Sequence, residues 1–263
     1  MIPLPFMEKL KITILGSGTS QGIPVIACDC DVCQSADPKD NRLRSSILIS
    51  KGDKNIIVDT GPDFRQQMLE ARVQSLEAIL FTHSHKDHVA GMDDIRAFNY
   101  RSQKPVEVWA DDEVQKSLHR EFYYVFEENK YPGVPSVNLN DITKEPFEVI
   151  GEQIIPITVM HYKLPVLAFR LRDFVYITDA KTIEPEEYEK LRGVKVLILN
   201  ALRKEPHISH LTLEEALEII EDLKPEQAYL THISHLMGRQ EEVSKELPEN
   251  VQIAYDGLEI EID

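Results

Sequence analysis

Short apolar runs and amphipathic stretches follow one another along most of the chain. At the start, residues 10–15 alternate between apolar and polar and lead into Gly16-Ser17-Gly18, a pattern that predicts a strand ending in a loop. Gly52-Asp53-Lys54 separates two further apolar runs and predicts a hairpin. The segments with a strand pattern are 10–15, 46–50, 55–59, 78–81, 106–109, 154–160, 166–171, 174–178, 194–199, 227–230 and 252–262.

Segments with a helical pattern lie between several of these strands, at 63–72, 92–100, 112–127, 186–191, 212–223 and 241–246. Thr212, with Glu215 three residues later, forms a capping box, which predicts that a helix begins there. Helices mixed with strands and hairpins favour a layered α/β protein with mixed sheets over a doubly wound parallel one. No repeat or Gly/Ser-rich linker interrupts the pattern, so residues 1–263 are predicted to form one domain.

The chain is strongly acidic. Over 263 residues, 45 Asp and Glu oppose 29 Lys and Arg, which gives a net charge of −16. A surface of this sign repels phosphate backbones, so a nucleic-acid partner is not expected. No stretch reaches the roughly 20 apolar residues that span a bilayer, and the first residues lack the basic and apolar regions of a secretory signal. We therefore expect a cytoplasmic protein with no membrane partner.

A dense group of metal-binding side chains follows the apolar run 78–81. His83, His85, Asp87 and His88 lie within six residues, in what the pattern predicts to be a loop. Imidazole and carboxylate ligands suit zinc, manganese or iron, and so many ligands so close together indicate two adjacent metals. Further candidate ligands each stand at the end of a predicted strand: His161, Asp179 and His232.

These motifs resemble those of the metallo-β-lactamase superfamily over nearly the whole chain, with Ile57-Val58-Asp59-Thr60-Gly61 similar to its first motif. The resemblance implies an αββα sandwich, in which two mixed β-sheets pack face to face with helices outside. It also implies a supporting, non-ligand role for Asp59. One divalent metal would take His83, His85 and His161, and the other would take Asp87, His88 and His232. Asp179 would bridge them beside a bridging hydroxide.

The three cysteines, Cys28, Cys30 and Cys33, form a C-x-C-x-x-C cluster in a polar, Asp-rich loop at about 26–42. Three thiolates favour a soft tetrahedral ion and leave one ligand to be found. His235, three residues after His232, is the best fourth ligand, and a closed Cys₃His site predicts a structural zinc. Within the superfamily the cluster resembles the phosphodiesterase subgroup of the bacterial carbon–phosphorus lyase pathway, which opens a phosphoribosyl 1,2-cyclic phosphate. Pyrroloquinoline quinone biosynthesis protein B is similar in this cluster too.

Two histidines outside the ligand set are candidates for the remaining chemistry. His210-Leu211-Thr212 is similar to the His-x-Thr segment of superfamily phosphodiesterases, so His210 is favoured over His207 as general acid or phosphate ligand. Asp87 is counted as catalytic as well as metal-binding. We expect the protein to hydrolyse small phosphodiesters, including cyclic ones, with the help of two divalent metals, which are Zn, Mn or Fe.

Alternative functions stay open from the sequence. A tRNase Z-like endonuclease would need a basic exosite or arm, and none is visible in the sequence. A β-lactamase or thioesterase is disfavoured by the His210 segment. A cofactor-biosynthesis protein with one redox metal, similar to the quinone-pathway member, is disfavoured by the full ligand set. The expected partner is a small phosphate ester, and a homodimer is compatible with the sequence.

Overall fold

The computed structural model describes residues 8–263, and over these the chain forms two seven-stranded β-sheets. Buried runs of Ile, Leu and Val make up most of the strands, as expected for sheets covered on both faces. The strands are β1 Leu10–Gly16, β2 Ser46–Lys51, β3 Lys54–Val58, β4 Ala78–Leu80, β5 Val106–Ala110, β6 Val137–Asp141, β7 Phe147–Val149, β8 Glu152–His161, β9 Leu164–Leu171, β10 Phe174–Ile177, β11 Val196–Asn200, β12 Gln227–Thr231, β13 Val251–Ile253 and β14 Glu259–Ile262.

Both sheets are mixed. The first has the order β14-β1-β2-β3-β4-β5-β6, antiparallel from β14 to β3 and parallel from β3 to β6. The second has the order β13-β12-β11-β10-β9-β8-β7, parallel from β13 to β10 and antiparallel from β10 to β7. In each sheet, the parallel strands therefore bring their carboxyl ends to one edge.

The helices lie on the outer faces of the two sheets. They are α1 Phe64–Glu70, α2 Lys86–Val89, α3 Arg96–Ser102, α4 Asp112–Glu121, α5 Tyr123–Phe126, α6 Pro185–Glu189, α7 Leu213–Leu223 and α8 Gln240–Ser244, with 3₁₀ turns at Pro38–Asp40 and Met92–Ile95. The capping box predicted at Thr212 is present at the start of α7. Among the described residues, no helix is both long and apolar enough to cross a bilayer.

Three apolar clusters show the layering. One lies between the sheets and includes Ile12, Phe169 and Tyr176; one lies between the first sheet and its helices; and the third lies between the second sheet and α6, α7 and α8. Alternate residues of the inner strands contribute to different clusters, because successive side chains point to opposite faces of a sheet. The predicted αββα sandwich is confirmed.

Three predicted segments differ from the structure. The segment 252–262 is two strands in different sheets, because Asp256-Gly257, with Gly257 at φ +88°, turns the chain from β13 to β14. The helix predicted over 112–127 is broken at Phe122, whose φ of −116° is not helical. The loop predicted over 83–88 ends in a helical turn, α2. Strands β6 and β7 were not predicted.

Candidate metal centres

The predicted active-site ligands lie at the carboxyl ends of strands, along the edge where the two sheets meet. Asp59 follows β3, residues 83–88 follow β4, His161 ends β8, Asp179 follows β10 and His232 follows β12. The helical turn α2 begins directly after His85, which brings Asp87 and His88 back towards the strand ends. The ends of parallel strands in both sheets, together with the end of the antiparallel strand β8, therefore supply one site from segments far apart in the sequence.

Strained backbone occurs at this edge. Asp59, Asp179 and His232 have φ values of +66°, +55° and +58°, in the left-handed region that side chains other than glycine seldom adopt. Such conformations cost of order 1–3 kcal/mol each and persist where the surrounding structure holds them, most often at functional sites. All three residues follow a strand and turn a polar side chain into the same region.

Two groups of donor atoms share one carboxylate. His83, His88 and Asp179 offer donor atoms within 4.8 Å of one another, and so do His161, Asp179 and His210. The remaining predicted ligands lie beside these groups: His85 Nδ1 is 3.0 Å from His83 Nε2, Asp87 Oδ2 is 3.2 Å from His88 Nε2, and His232 Nδ1 is 3.3 Å from Asp179 Oδ2. The structure therefore brings all seven predicted ligands together.

The grouping of the donor atoms differs in two respects from what the family resemblance implies. His88 lies with His83, and their ring centroids are 4.2 Å apart, whereas the resemblance assigns the two to different metals. His210, expected outside the ligand set, lies with His161, with ring centroids 4.5 Å apart. Asp179 belongs to both groups, which is the position that the resemblance implied for it.

Burial keeps most of these histidines neutral. It lowers the pKa values of His83, His85 and His232, because removal from water disfavours the charged ring. Neutral imidazole is the form that binds a metal. Asp179 is fully buried, yet His232 and His88 hold its pKa well below its ordinary value, so it is ionised. Ionised carboxylates beside neutral imidazoles are a donor set for a divalent cation.

His88 is the exception among the histidines. Burial lowers its pKa, but the carboxylates of Asp59 and Asp179 outweigh that effect and raise it well above the ordinary value. Its Nε2 is buried and has no hydrogen-bond partner within residues 8–263, while Asp87 and Asp179 lie close by. A positive charge is thus favoured at this point, and a divalent metal beside Nε2 would supply it without the proton. The residues present fit the metals that the fold implies.

A second layer of polar groups orients the ligands. Asp59, which is not a ligand in the predicted set, accepts a 2.7 Å hydrogen bond from His88 Nδ1, so Nε2 is left for a metal. Thr82 fixes Asp59 in turn, by donating from its backbone N–H and its hydroxyl at 2.8 Å each. His161 Nδ1 donates to the carbonyl of Ser209 at 2.9 Å, which leaves its Nε2 free.

Some orienting groups were not found from the sequence. Ser45 Oγ is 3.1 Å from His232 Nδ1, and Thr19 Oγ1 is 3.0 Å from His232 Nε2, so two hydroxyls fix that ring. Thr19 lies in the Gly-Ser-Gly-Thr loop after β1, a turn that the sequence does reveal. Ser45 carries no such signal, because an ordinary serine before a strand has no distinguishing pattern.

The two catalytic candidates occupy different environments. His210 is buried, and burial lowers its pKa to about 3, with His232 lowering it further while Asp179 opposes the shift. His207 is more exposed, and its Nδ1 is 3.2 Å from the hydroxyl of Ser209. Their ring centroids are 5.1 Å apart. His210 therefore lies against the ligand group, and His207 lies farther out.

The cysteine cluster forms a second donor set. Sγ atoms of Cys28, Cys30 and Cys33 lie 3.3, 3.4 and 3.6 Å from Nδ1 of His235. Zinc bonds of about 2.3 Å to sulfur and about 2.0–2.1 Å to nitrogen, at tetrahedral angles, require S···N separations of about 3.6 Å. The four residues predicted from the spacing therefore fit a closed zinc site.

The environment of the thiols also suits a metal. The N–H of Cys33 points at Cys30 and is the main cause that lowers the pKa of the Cys30 thiol to about 6, whereas burial raises that of Cys33 to about 11. A thiolate is the form that binds zinc. Among the described residues, the buried apolar cluster at this loop comprises Ile23, Val32 and Cys33 itself, with the partly buried Val25 packed against it. A bound ion would therefore hold a loop that has little core of its own.

Cys30→Ser is expected to release one zinc per chain and to lower the thermal midpoint, because the loop loses its main tie to His235. Structural zinc contributes about 10 kcal/mol or more in small zinc-finger peptides, and less is expected here because the two-sheet core does not depend on it. Metal analysis and calorimetry check this result. Asp31→Asn, in the same loop but outside the donor set, is the control. Unchanged zinc content in Cys30→Ser would contradict the assignment.

Comparison with known proteins agrees with this geometry. Residues 54–233 match the sequence profile of the Beta-lactamase superfamily domain. A solved structure described as a new diphosphatase from the PhnP family is 37% identical, covers 97% of each chain and has a TM-score of 0.91. Zn²⁺-bound PqqB from Methylobacterium extorquens shares the fold, with a TM-score of 0.78 over 96% of this chain and all of that one, at 18% identity.

A curated relative, octanoyltransferase of Porphyromonas gingivalis, is 39% identical over 257 residues, which is 97% of this chain but 52% of that protein. The chain thus spans about half the length of this relative. The range matched by the profile includes the strands and loops that carry the candidate active-site ligands of both sheets. The chain belongs to the metallo-β-lactamase superfamily of hydrolases and resembles the PhnP family within it.

Proposed function

We propose that this protein is a dinuclear metal-dependent phosphohydrolase that cleaves a P–O bond in a small phosphodiester or diphosphate. The observation that carries the proposal is the buried Asp179 carboxylate, which is shared by two groups of donor atoms. A shared carboxylate between two cations is the arrangement of two-metal sites that act on phosphoryl groups. One metal alone would leave several of the seven donors without a role.

The chain's own residues provide the scaffold for this chemistry. Seven residues would hold the two metals: by the resemblance His83, His85 and His161 on one and Asp87, His88 and His232 on the other, with Asp179 shared, although His88 lies beside His83 in the structure. When bound, such metals lower the pKa of coordinated water and neutralise charge on phosphate oxygens. Asp59 holds the His88 ring through Nδ1, and Ser45 holds the His232 ring through Nδ1, so both rings are oriented before a substrate arrives.

His161 and His210 lie next to each other, on the side of the site formed by residues 207–210. With a pKa of about 3, His210 is neutral at pH 7 and offers an N–H as a hydrogen-bond donor rather than a proton to transfer. Its Nδ1 is buried and has no hydrogen-bond partner among the described residues. A phosphate oxygen beside it would supply the missing partner. His210 is therefore assigned to phosphate binding, and His207 to the outer wall.

Relatives support the phosphoryl assignment over the alternatives. The diphosphatase of the PhnP family matches nearly the whole chain at 37% identity, so a diphosphate is a substrate class to set beside the phosphodiester expected from the sequence. The net charge of −16 disfavours the tRNA-processing alternative. The octanoyltransferase relative is twice as long, and its named activity is not carried over to this chain.

A substrate panel combined with metal analysis tests the proposal. Protein purified without chelator is expected to hold two active-site metals besides the cysteine-bound zinc. It should hydrolyse bis(p-nitrophenyl) phosphate, and the comparison of ribose cyclic phosphates, 2′,3′-cyclic nucleotides and dinucleoside diphosphates identifies the natural class. Activity should disappear with chelation and return with Zn²⁺ or Mn²⁺. No hydrolysis of any phosphate ester or diphosphate by metal-loaded protein would overturn the proposal.

A further inference from the structure

An exposed tyrosine stands next to a predicted metal ligand in a strained conformation. Tyr162 follows His161 at the tip of the β8–β9 hairpin and has a φ of +58°, a value that suits glycine and is an outlier for a bulky residue. Its side chain is 53% exposed. The two-residue turn imposes this φ, as it does at Arg172 between β9 and β10, and it leaves a large aromatic ring exposed beside a predicted metal ligand, where the ring can contact a bound molecule.

An exposed isoleucine lies on the segment that contacts this hairpin. His161 Nδ1 donates to the carbonyl of Ser209 at 2.9 Å, which ties the hairpin tip to 207–210. Ile208, the neighbour of Ser209, is 65% exposed. Tyr162 and Ile208 are thus two exposed apolar side chains. Tyr162 is next in sequence to His161 and Ile208 is next to Ser209, the two partners of the hydrogen bond at the edge of the metal centre. The mechanism proposed above uses neither.

A cation lies beside the tyrosine, in contrast with the negative net charge of the chain. Lys163 Nζ lies 5.3 Å from the centroid of the Tyr162 ring. A cation over one face of an aromatic ring leaves the other face for stacking. The surroundings therefore suit a flat apolar group attached to an anion.

We propose that Tyr162 and Ile208 form a subsite for the nucleobase of a nucleotide-type substrate whose phosphate lies at the metal centre. The inference rests on the proposed function and narrows it to phosphodiesters or diphosphates that carry a nucleoside. The base stacks on the Tyr162 ring, and Ile208 covers its edge. Base–aromatic stacking changes affinity by roughly 5–150-fold per base.

Equilibrium binding of two probes to the metal-loaded protein tests the subsite without any turnover. AMP and ribose 5-phosphate carry the same phosphate and ribose and differ in the base. We expect AMP to bind more tightly than ribose 5-phosphate by roughly 5–150-fold. Tyr162→Gly should bring the two dissociation constants close together by weakening AMP alone, and Tyr162→Phe should keep the difference, since it keeps the ring.

The thermal midpoint distinguishes loss of the Tyr162 ring from loss of the folded structure. Glycine adopts φ +58° without strain, so Tyr162→Gly is expected to leave the thermal midpoint unchanged or to raise it by up to about 4 °C. Tyr123→Ala removes a ring of similar exposure, 61%, from α5 on the other sheet's helical layer and should not change the ratio of the two affinities.

The outcomes distinguish this inference from the proposed function. Equal affinities for AMP and ribose 5-phosphate in the wild-type protein, or an unchanged ratio in Tyr162→Gly, would overturn the subsite even if phosphodiesters are hydrolysed. A preference for AMP that Tyr162→Gly removes would support the subsite even if the substrate panel shows no hydrolysis.

Discussion

Asp179→Ala is expected to abolish phosphodiester hydrolysis and to lower metal content at both active-site positions. The carboxylate is the one group shared by the two donor sets, so its loss weakens both metals at once. Bound metals would lower the pKa of a coordinated water from about 15.7 towards about 7, so without them the nucleophile is lost and kcat is expected to fall to the background rate. Metal analysis and kinetics with bis(p-nitrophenyl) phosphate measure the two effects.

Asp179→Asn separates ligation from backbone strain. The residue has a φ of +55°, which asparagine tolerates and alanine does not, so the amide variant keeps the turn while it removes the negative charge. It should lose activity nearly as fully as the alanine variant. Asp173→Ala, in the turn between β9 and β10 and paired with Lys195, is the control and should retain both metals. Full activity in Asp179→Asn would contradict the shared-carboxylate site.

The sequence predicts most of the strands and the edge at which the site lies. Apolar runs that end at His161, Asp179 and His232 are informative, because a rigid strand followed by a polar side chain is a local pattern. The face-to-face packing of the two sheets was implied by the family resemblance, since periodicity alone does not say which sheet a strand joins. The turn at Asp256-Gly257 illustrates this limit, because β13 and β14 were predicted as one strand although they belong to different sheets.

The part of the site that sequence reasoning missed comes from tertiary contacts. Ser45 and Thr19 contact the His232 ring from segments that lie about 190 and 210 residues away in the sequence. No local pattern relates hydroxyls to a ring so distant in sequence. The cysteine site could be predicted from the sequence for the opposite reason. Three of its ligands lie within six residues, and the fourth follows a residue already singled out as a ligand.

His210→Ala is expected to lower kcat/KM by roughly 10²–10³-fold while both active-site metals are retained, the loss found when one donor to a developing oxyanion is removed. Because burial lowers the pKa of His210 to about 3, its protonated form predominates only below about pH 3. Its charge therefore does not change between pH 5 and 9, and the variant should keep the shape of the wild-type pH–rate profile over that range. Rates on bis(p-nitrophenyl) phosphate across this range, with metal analysis, check both points.

The leaving group distinguishes a phosphate-binding role for His210 from proton donation. p-Nitrophenolate departs without a proton, whereas the alkoxide of a ribose cyclic phosphate needs one, so a proton donor would matter far more for the second substrate. A group that binds phosphate matters equally for both, and equal losses are therefore expected. His210→Gln should recover part of the activity, because an amide N–H donates a hydrogen bond but cannot transfer a proton. His119→Ala, exposed on α4, is the matched control and should have no effect. A loss confined to the cyclic phosphate, with no recovery in His210→Gln, would instead make His210 the general acid and would require bound phosphate to raise its pKa.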